Sequence, residues 1–363
     1  MSKRPSRTIA LKFQISVPSF MQQANLLKKA LAPFYDEIMI PKTSLYGQHF
    51  TTWFVFTPAM GSYLLQLAMN GALIHAQRVM YVTAEGVPIV SNAQVNLLND
   101  KSYNWKVLCV SKFSETAMKA GGIHVDGVVP HAIDEDEPFR CQTQAENLRK
   151  HYEKIFPDRV LFAYTGSTVA RKKVDLMVPA FRKAVKKCND KIALISNSHL
   201  SPRSAPNIHS PNPQPIRPED DWCIEENVFG KSPHEYVTAL HSACDFFLWS
   251  TLCEGFGVPP LEAMSCGKPV VAGRFAPNVE FMTDESTIWY ETPEIRYENY
   301  GLEQTFEMHY YKESEFVDAI VRAFDIFINY KSQYADMCAK AKEQASKYDY
   351  RKVYAIELRR FLA

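Results

Sequence analysis

No Cys-x-x-Cys pair occurs in the sequence, and its eight cysteines (109, 141, 188, 223, 244, 253, 266 and 338) are scattered over 363 residues. The ten histidines are equally dispersed and form no His-Glu-x-x-His motif, which argues against a structural zinc or a zinc hydrolase. Reduced thiols in a cytoplasm are the expectation. No Gly-x-Gly-x-x-Gly follows a strand pattern and no Gly-x4-Gly-Lys-Ser/Thr is present, so nicotinamide and P-loop chemistry are disfavoured. Charge of one sign is also missing: 41 Lys+Arg against 40 Asp+Glu leave +1, and no global field draws nucleic acid. Residues 43–77 lack Asp, Glu, Lys and Arg, but Pro58, Gly61, Gln66, Asn70 and Gly71 interrupt them. A membrane span needs ~20 mostly apolar residues in one run, and none is expected. The basic start MSKRPSR leads into IALKFQISVP, a strand pattern and not a signal peptide. The expected location is cytoplasmic. The first 50 residues carry seven basic and two acidic side chains, a charge suited to peripheral contact with an anionic membrane face.

What is present is ordinary globular material, 46% hydrophobic and 22% charged. A prior of ~150 residues per domain suggests two domains. Strand patterns fall at 8–17, 36–40, 52–56, 78–84, 105–110, 125–129, 159–165, 191–196, 225–229, 245–249, 268–272 and 287–290, mostly separated by helical patterns. A helix is expected over 59–76. This alternation predicts two Rossmann-like α/β domains with doubly wound parallel sheets. Pro157-Asp158 punctuates the boundary, giving one domain at 1–157 and a second at 158–347. The last helix, within 348–363, is placed to pack back on the first domain. Ser111 should start a helix ending at Gly121-Gly122. Ser232-Pro-His-Glu235 reads as a capping box with Pro233 first in the helix, and Pro259-Pro260 opens a helix closed by Gly267. Val174, Val178, Phe181 and Val185 form one apolar stripe. Residues 201–220 hold six prolines and read as a long surface loop. Residues 280–318 carry eleven acidic side chains against Arg296 and Lys312 and read as a solvated insertion.

The stretch 245–274 carries the chemistry. A buried strand ends near Ser250, a loop presents Glu254-Gly-Phe-Gly257, and a helix starts at Pro259-Pro260. Free amides and the positive dipole end at a helix start favour an anion. Gly255 and Gly257 permit the close backbone approach that a phosphate needs. Glu262 lies in the first turn, where one carboxylate can accept from two vicinal ribose hydroxyls. Glu254 lies on the other side of the loop, so nucleoside, diphosphate and sugar could lie in order between them.

EGFGVPPLEAMSCGKPVV (254–271) resembles the Glu-x7-Glu motif of GT-B retaining glycosyltransferases, the nucleotide-sugar-dependent group 1 (family four) enzymes. VLCVSKFSETAMKAGG with VDGVVPHAID, ARKKVDLMVPAF and KYDYRKVYAIEL are similar to further stretches of that family, while residues 1–90 match weakly. The resemblance implies the GT-B fold, with an acceptor-side domain at 1–157 and a donor-side domain at 158–347 facing each other across a cleft, and retaining transfer of a hexosyl group from a nucleotide-diphosphate sugar to a glycan, lipid or protein-linked acceptor. It also implies that neither metal nor cofactor is needed. By position, Glu254 would contact the donor sugar near the reacting carbon and Glu262 would hold the ribose. The amides of Gly255, Phe256 and Gly257, with Arg171 and Lys172, would hold the diphosphate, and Gly166 and Ser167 would line the nucleotide site. Several positions depart from the pattern. Ser167 replaces a frequent Arg, Val174 stands at a usual glycine, and Pro18-Ser19-Phe20 replaces a Gly-rich turn. Thr83-Ala84-Glu85-Gly86 stands where a His-Asp is common, so Glu85 and Ser19 become candidates for the acceptor or donor side of the cleft. Asp134-Glu-Asp136 formally satisfies an Asp-x-Asp metal pattern. His124 and His131 are expected to be structural. The alternatives are a non-catalytic nucleotide-sugar-binding or partner protein of the same fold, and a GT-B phosphorylase or epimerase.

Overall fold

The structure, a computed structural model, describes residues 7–12, 18–40, 50–59, 64, 66, 76–198, 220–226, 233–299 and 303–362. Most of the helix expected over 59–76, the proline-rich stretch 201–219 and Ser232 lie outside the described residues. The first sheet is parallel throughout, in the order β2-β1-β3-β4-β6-β7. Its strands are β1 (Thr8–Lys12), β2 (Glu37–Met39), β3 (Thr52–Pro58), β4 (Gln77–Thr83), β6 (Trp105–Cys109) and β7 (Gly127–Val128). The second parallel sheet runs β10-β9-β8-β11-β12-β13. It comprises β8 (Val160–Thr165), β9 (Ile192–Asn197), β10 (Cys223–Glu225), β11 (Phe246–Trp249), β12 (Val270–Gly273) and β13 (Thr287–Tyr290). Strands β3, β8, β9, β11 and β12 are buried almost throughout, as expected of strands covered on both faces. In the second sheet the winding reverses between β8 and β11, and it is outside the carboxyl ends of such a pair that open α/β sheets bind ligands.

A third sheet went unread in the sequence. It is antiparallel, ordered β14-β15-β5, from β14 (Glu294–Glu298), β15 (Gln304–Tyr310) and β5 (Gly86–Pro88). Two of its strands come from the acidic stretch 280–318, which is therefore not a solvated insertion. Phe306, Met308 and Tyr311 are buried there. β5 spans three residues and β14 is exposed along most of its length, so neither carries the apolar pattern that marks a strand. This sheet joins the two halves of the chain. Gly86 pairs with Phe306 so closely that a Cβ there would lie 2.0 Å from the Thr305 carbonyl oxygen.

Other ties cross between the halves. Helix α1 (Pro18–Leu31) and helix α2 (Asn92–Asn99) belong to the first half, as does α3 (Lys112–Ala120), which Ser111 caps through the Ser114 amide; α4 (Glu137–Arg140) and α5 (Gln142–Ile155) follow. The Glu280 carboxylate reaches over from the second half and accepts from the Lys112 and Phe113 amides, each at 2.8 Å. A carboxylate at a helix start is favoured by the dipole. The chain's end returns to the first half. Asp349 caps the turn Tyr350–Lys352, Tyr354 bonds Gln23 of α1, and Gln77 and Lys106 donate to the Phe361 carbonyl at 2.9 and 2.8 Å. Asp134, Glu135 and Asp136 are bound to cations, Asp134 to Lys29 and Arg140 and the other two to Arg351. Lys352 lies 3.9 Å from Glu135 as well, so each carboxylate of the Asp-x-Asp pattern already faces at least one cation of this chain.

Gly86→Ala should force the β5–β15 pairing apart. Overpacking against backbone predicts a loss of roughly 2–3 kcal/mol in denaturant unfolding; a variant as stable as wild type would show that this pairing contributes little.

Candidate active site

Two segments meet at the carboxyl ends of β8 and β11. After β8, Gly166 and Ser167 lead to a 3₁₀ turn, Ala170–Lys172, which carries the basic pair. The next helix, α6 (Val174–Lys187), buries Val178, Phe181 and Val185 as its stripe predicts, while Val174 is partly buried. The left-handed residue between turn and helix is Lys173, with φ 52°. The conformation a glycine would relieve thus falls on Lys173, not on Val174. After β11 the loop 250–257 is tied down by the basic turn: Leu252 donates its amide to the Arg171 carbonyl at 2.8 Å, and the Ser250 hydroxyl donates to the Lys172 carbonyl at 2.8 Å.

Within this frame four charged side chains converge. Glu254 Oε1 accepts from Arg171 Nη1 at 2.9 Å and from Lys172 Nζ. The Lys172 ammonium also sits 4.2 Å from the Trp249 ring centre, a cation–π contact. Arg171 Nη2 reaches across to Glu85 Oε1 at 2.5 Å, and Glu85 belongs to the other half of the chain, between β4 and β5. Burial works against all four charges, with different outcomes. It raises the Glu254 carboxyl, but Lys172 and Arg171 outweigh it and hold that group below its ordinary range. Glu85 is raised, because burial exceeds the help of Arg171 and the Glu254 charge opposes ionisation. Lys172 is lowered by burial despite Glu254, whereas for Arg171 the neighbouring carboxylates overcome burial and raise it.

Glu262 stands apart from this group. It lies on helix α8 (Val258–Ser265), which follows the loop, and it is buried. Its Oε1 is 3.0 Å from Nε2 of His234, whose Nδ1 is 2.8 Å from Glu137 Oε1; the Gln22 side-chain amide of α1 lies 3.3 Å from the same Nδ1. Burial lowers the imidazole, but Glu262 and Glu137 outweigh it and bring His234 up to about 10. His234 is the first residue of helix α7 (His234–Ala243); Pro233 is its N-cap and makes no side-chain cap bond. The sequence reading used this stretch only as a capping box and so missed His234, Glu137 and Gln22. The one signal was a histidine at a helix start.

The loop glycines differ from expectation. A Cβ on Gly255 would lie 2.4 Å from Thr83 Cγ2, and the Gly255 carbonyl accepts from the hydroxyls of Ser111 at 2.6 Å and Ser114 at 3.1 Å. The close approach that needs glycine here is to the other half of the protein. Gly257 has φ 110° and is the N-cap of α8, a conformation glycine alone takes without strain. The Phe256 ring is buried, stacked on Phe281 at 5.1 Å and edge-on to His131 at 5.4 Å, so its side chain is core and only its backbone faces the loop. His131 is likewise structural, burial pushing its imidazole down to about 3. Pro259 and Pro260 remove two N–H groups from the first turn of α8, leaving its dipole with fewer free donors than a helix start usually offers. Gly166 and Ser167 lie beside Tyr164: a Gly166 Cβ would approach its hydroxyl to 2.9 Å, and the Ser167 carbonyl accepts from it at 3.5 Å. Ser19 sits in the first turn of α1, one turn before Gln22.

Residues 225–297 match the profile of the family described as Glycosyl transferases group 1. The chain is 25% identical over 306 residues to the uncharacterized glycosyltransferase 335 of Sulfolobus islandicus rod-shaped virus 1, covering 82% of each. Among solved structures, HepE of Anabaena in complex with UDP and glucose superposes with a TM-score of 0.64 at 15% identity, over 98% of this chain and 99% of that one. A glycosyltransferase of Rickettsia africae superposes with a TM-score of 0.69 at 11% identity, over 99% and 98%. The fold is GT-B. The matched segment and the viral relative support a group 1 glycosyltransferase, an enzyme of glycosyl transfer from nucleotide sugars. Among the described residues no helix is long and apolar enough to cross a membrane, and no group of three or more His, Cys, Asp or Glu side chains is arranged to hold a metal ion.

The imidazole of His234 titrates near 6.5 when unfolded and near 10 in the fold, so its stabilisation is complete below 6.5 and lost as the pH rises to 10. In urea melts the gap between wild type and His234→Gln should narrow steadily across that window; a gap independent of pH would exclude the charged bridge.

Proposed function

We propose that the protein transfers a hexosyl group from a nucleotide-diphosphate sugar to a glycan, lipid-linked or protein-linked acceptor, with retention of configuration and without a metal. The observation that carries this reading is the pairing of Glu254 with Arg171 and Lys172 at the point where the second sheet reverses its winding. Glu262 lies one loop and one helical turn further on. UDP and glucose bind HepE, the Anabaena protein of the same fold, and a nucleoside diphosphate is the ligand that this charge pattern suits.

In this reading Glu262 accepts from the ribose hydroxyls, and His234 with Glu137 holds it in place. Arg171 and Lys172 receive the diphosphate, whose charge grows as the glycosidic bond breaks. Cations already positioned there lower the barrier, by ~3 kcal/mol for one strong donor. Glu254, freed from part of its pairing, faces the sugar near the reacting carbon. The bond from that carbon to the phosphate oxygen breaks with its electron pair going to the phosphate. The acceptor oxygen forms the new bond on the same face, and its proton passes to the departing phosphate. Interdomain closure excludes water and suppresses hydrolysis. The basic first 50 residues are suited to peripheral contact at a cytoplasmic membrane face that presents a lipid-linked acceptor.

A thermal-shift screen against UDP, GDP, ADP and their sugars identifies the donor. With that donor, Glu262→Ala should weaken nucleotide binding at least ~10-fold by calorimetry, the loss of hydrogen bonds to a charged acceptor. Glu254→Gln should bind the nucleotide no more weakly than wild type does and yet lose turnover. Turnover of labelled donor should persist in EDTA; loss restored by manganese would refute the metal-free mechanism.

A further inference from the structure

Glu85 has no part in the mechanism above, yet it is held firmly in the cleft. The strand pairing of Gly86 with Phe306, and the Ile89 amide donating to the Glu303 carbonyl at 2.9 Å, fix the backbone on its C-terminal side across both halves. On its N-terminal side the Ala84 amide and carbonyl are both bound to Ser114 Oγ, at 3.1 and 2.9 Å. The carboxylate is therefore delivered to one place, 2.5 Å from Arg171 Nη2, with its side chain 18% exposed. Lys172 is committed to Glu254 and to the face of Trp249. Arg171 is the cation shared between carboxylates of the two halves.

Glycosyl transfer changes the charge that this arginine meets. The diphosphate of a nucleotide sugar is esterified at both ends and carries about two negative charges. Once the sugar leaves, the terminal phosphate gains a second ionisation, with a pKa of about 6, and the free nucleoside diphosphate approaches three. Arg171 and Lys172 thus grip the product more tightly than the donor, and product release is a step that commonly limits turnover. A fixed competing anion would correct this.

We propose that Glu85 is the residue that expels the product: its carboxylate competes with the nucleoside diphosphate for Arg171 and reclaims the guanidinium as the nucleotide leaves. The proposal rests on the donor-site reading above. Glu85 acts through Arg171 and is a positioning residue, not a catalytic one. Its removal should tighten binding of the product, the opposite of what loss of a ligand or of a structural contact would do.

The test is calorimetric titration of the full chain, wild type and Glu85→Gln, with UDP, GDP and ADP and with the sugar nucleotide of whichever base binds. A competing ion pair of this exposure predicts that Glu85→Gln binds the nucleoside diphosphate roughly 5-fold more tightly, with a smaller gain for the sugar nucleotide. Stopped-flow displacement of a fluorescent nucleoside diphosphate should show release slowed by a similar factor. If the glutamine variant does not fold, Glu85→Asp, which withdraws the carboxylate by one methylene, should tighten binding roughly 2-fold. Nucleotide binding that is unchanged or weakened in the folded variant overturns the role of Glu85 alone. Failure of wild type to bind any of the three diphosphates overturns the donor site along with it.

Discussion

One guanidinium holds this site together. Arg171 donates to Glu254 at 2.9 Å within its own half and to Glu85 at 2.5 Å in the other, so a single side chain neutralises carboxylates from both sides of the cleft. Arginine suits this position because it remains charged when buried and presents several donors in a fixed plane. Lys172, beside it, satisfies only Glu254 and depends on the Trp249 face for further compensation. Removing Glu254 would leave the buried Lys172 without its carboxylate, which costs more than a surface ion pair is worth.

The cluster exists only because the backbone around it is pinned. The β5–β15 pairing carries Glu85 into the cleft, the hydroxyls of Ser111, the cap of α3, and of Ser114 within it hold the Gly255 carbonyl, and Glu280 anchors the start of that helix. These ties join the two halves immediately beside the reacting region, and the chain's last turns bind the first half a second time through Phe361. Opening of the cleft must therefore break backbone hydrogen bonds as well as an ion pair.

Three glutamates in this region share one chemistry and meet three environments. Glu254 is held ionised by two cations, Glu85 is raised by burial with only part of one guanidinium to offset it, and Glu262 is bridged to Glu137 through a charged imidazole. Their separation in electrostatic character is what allows neighbouring carboxylates to take different tasks. It also explains why His234 belongs with the site although it lies outside the Glu-x7-Glu stretch. Pushed up to about 10 by its two carboxylates, the imidazole lies 3.0 Å from Glu262 Oε1 and ties that side chain to Glu137.

Much of this was legible in the sequence. The β-α alternation predicts two parallel sheets because short apolar runs buried on both faces read the same in any context. Glu254 and Glu262 stand out because their spacing follows from one loop and one helix start, both local features, whereas the basic pair is marked by the resemblance of ARKKVDLMVPAF to group 1 sequences. What the sequence concealed depends on distance along the chain. Glu85 and Arg171 are 86 positions apart, and Gln22 and His234 are 212 apart, and no local pattern records either meeting. The three-stranded sheet was hidden for a related reason: β5 is too short to show a period, and β14 is stabilised by its pairing rather than by burial. Gly255 shows the same division. Its identity marks a close approach, but only the folded chain shows that the neighbour is Thr83 of the opposite half. Local chemistry determined which residues could act here; the packing of one half on the other decided which of them meet.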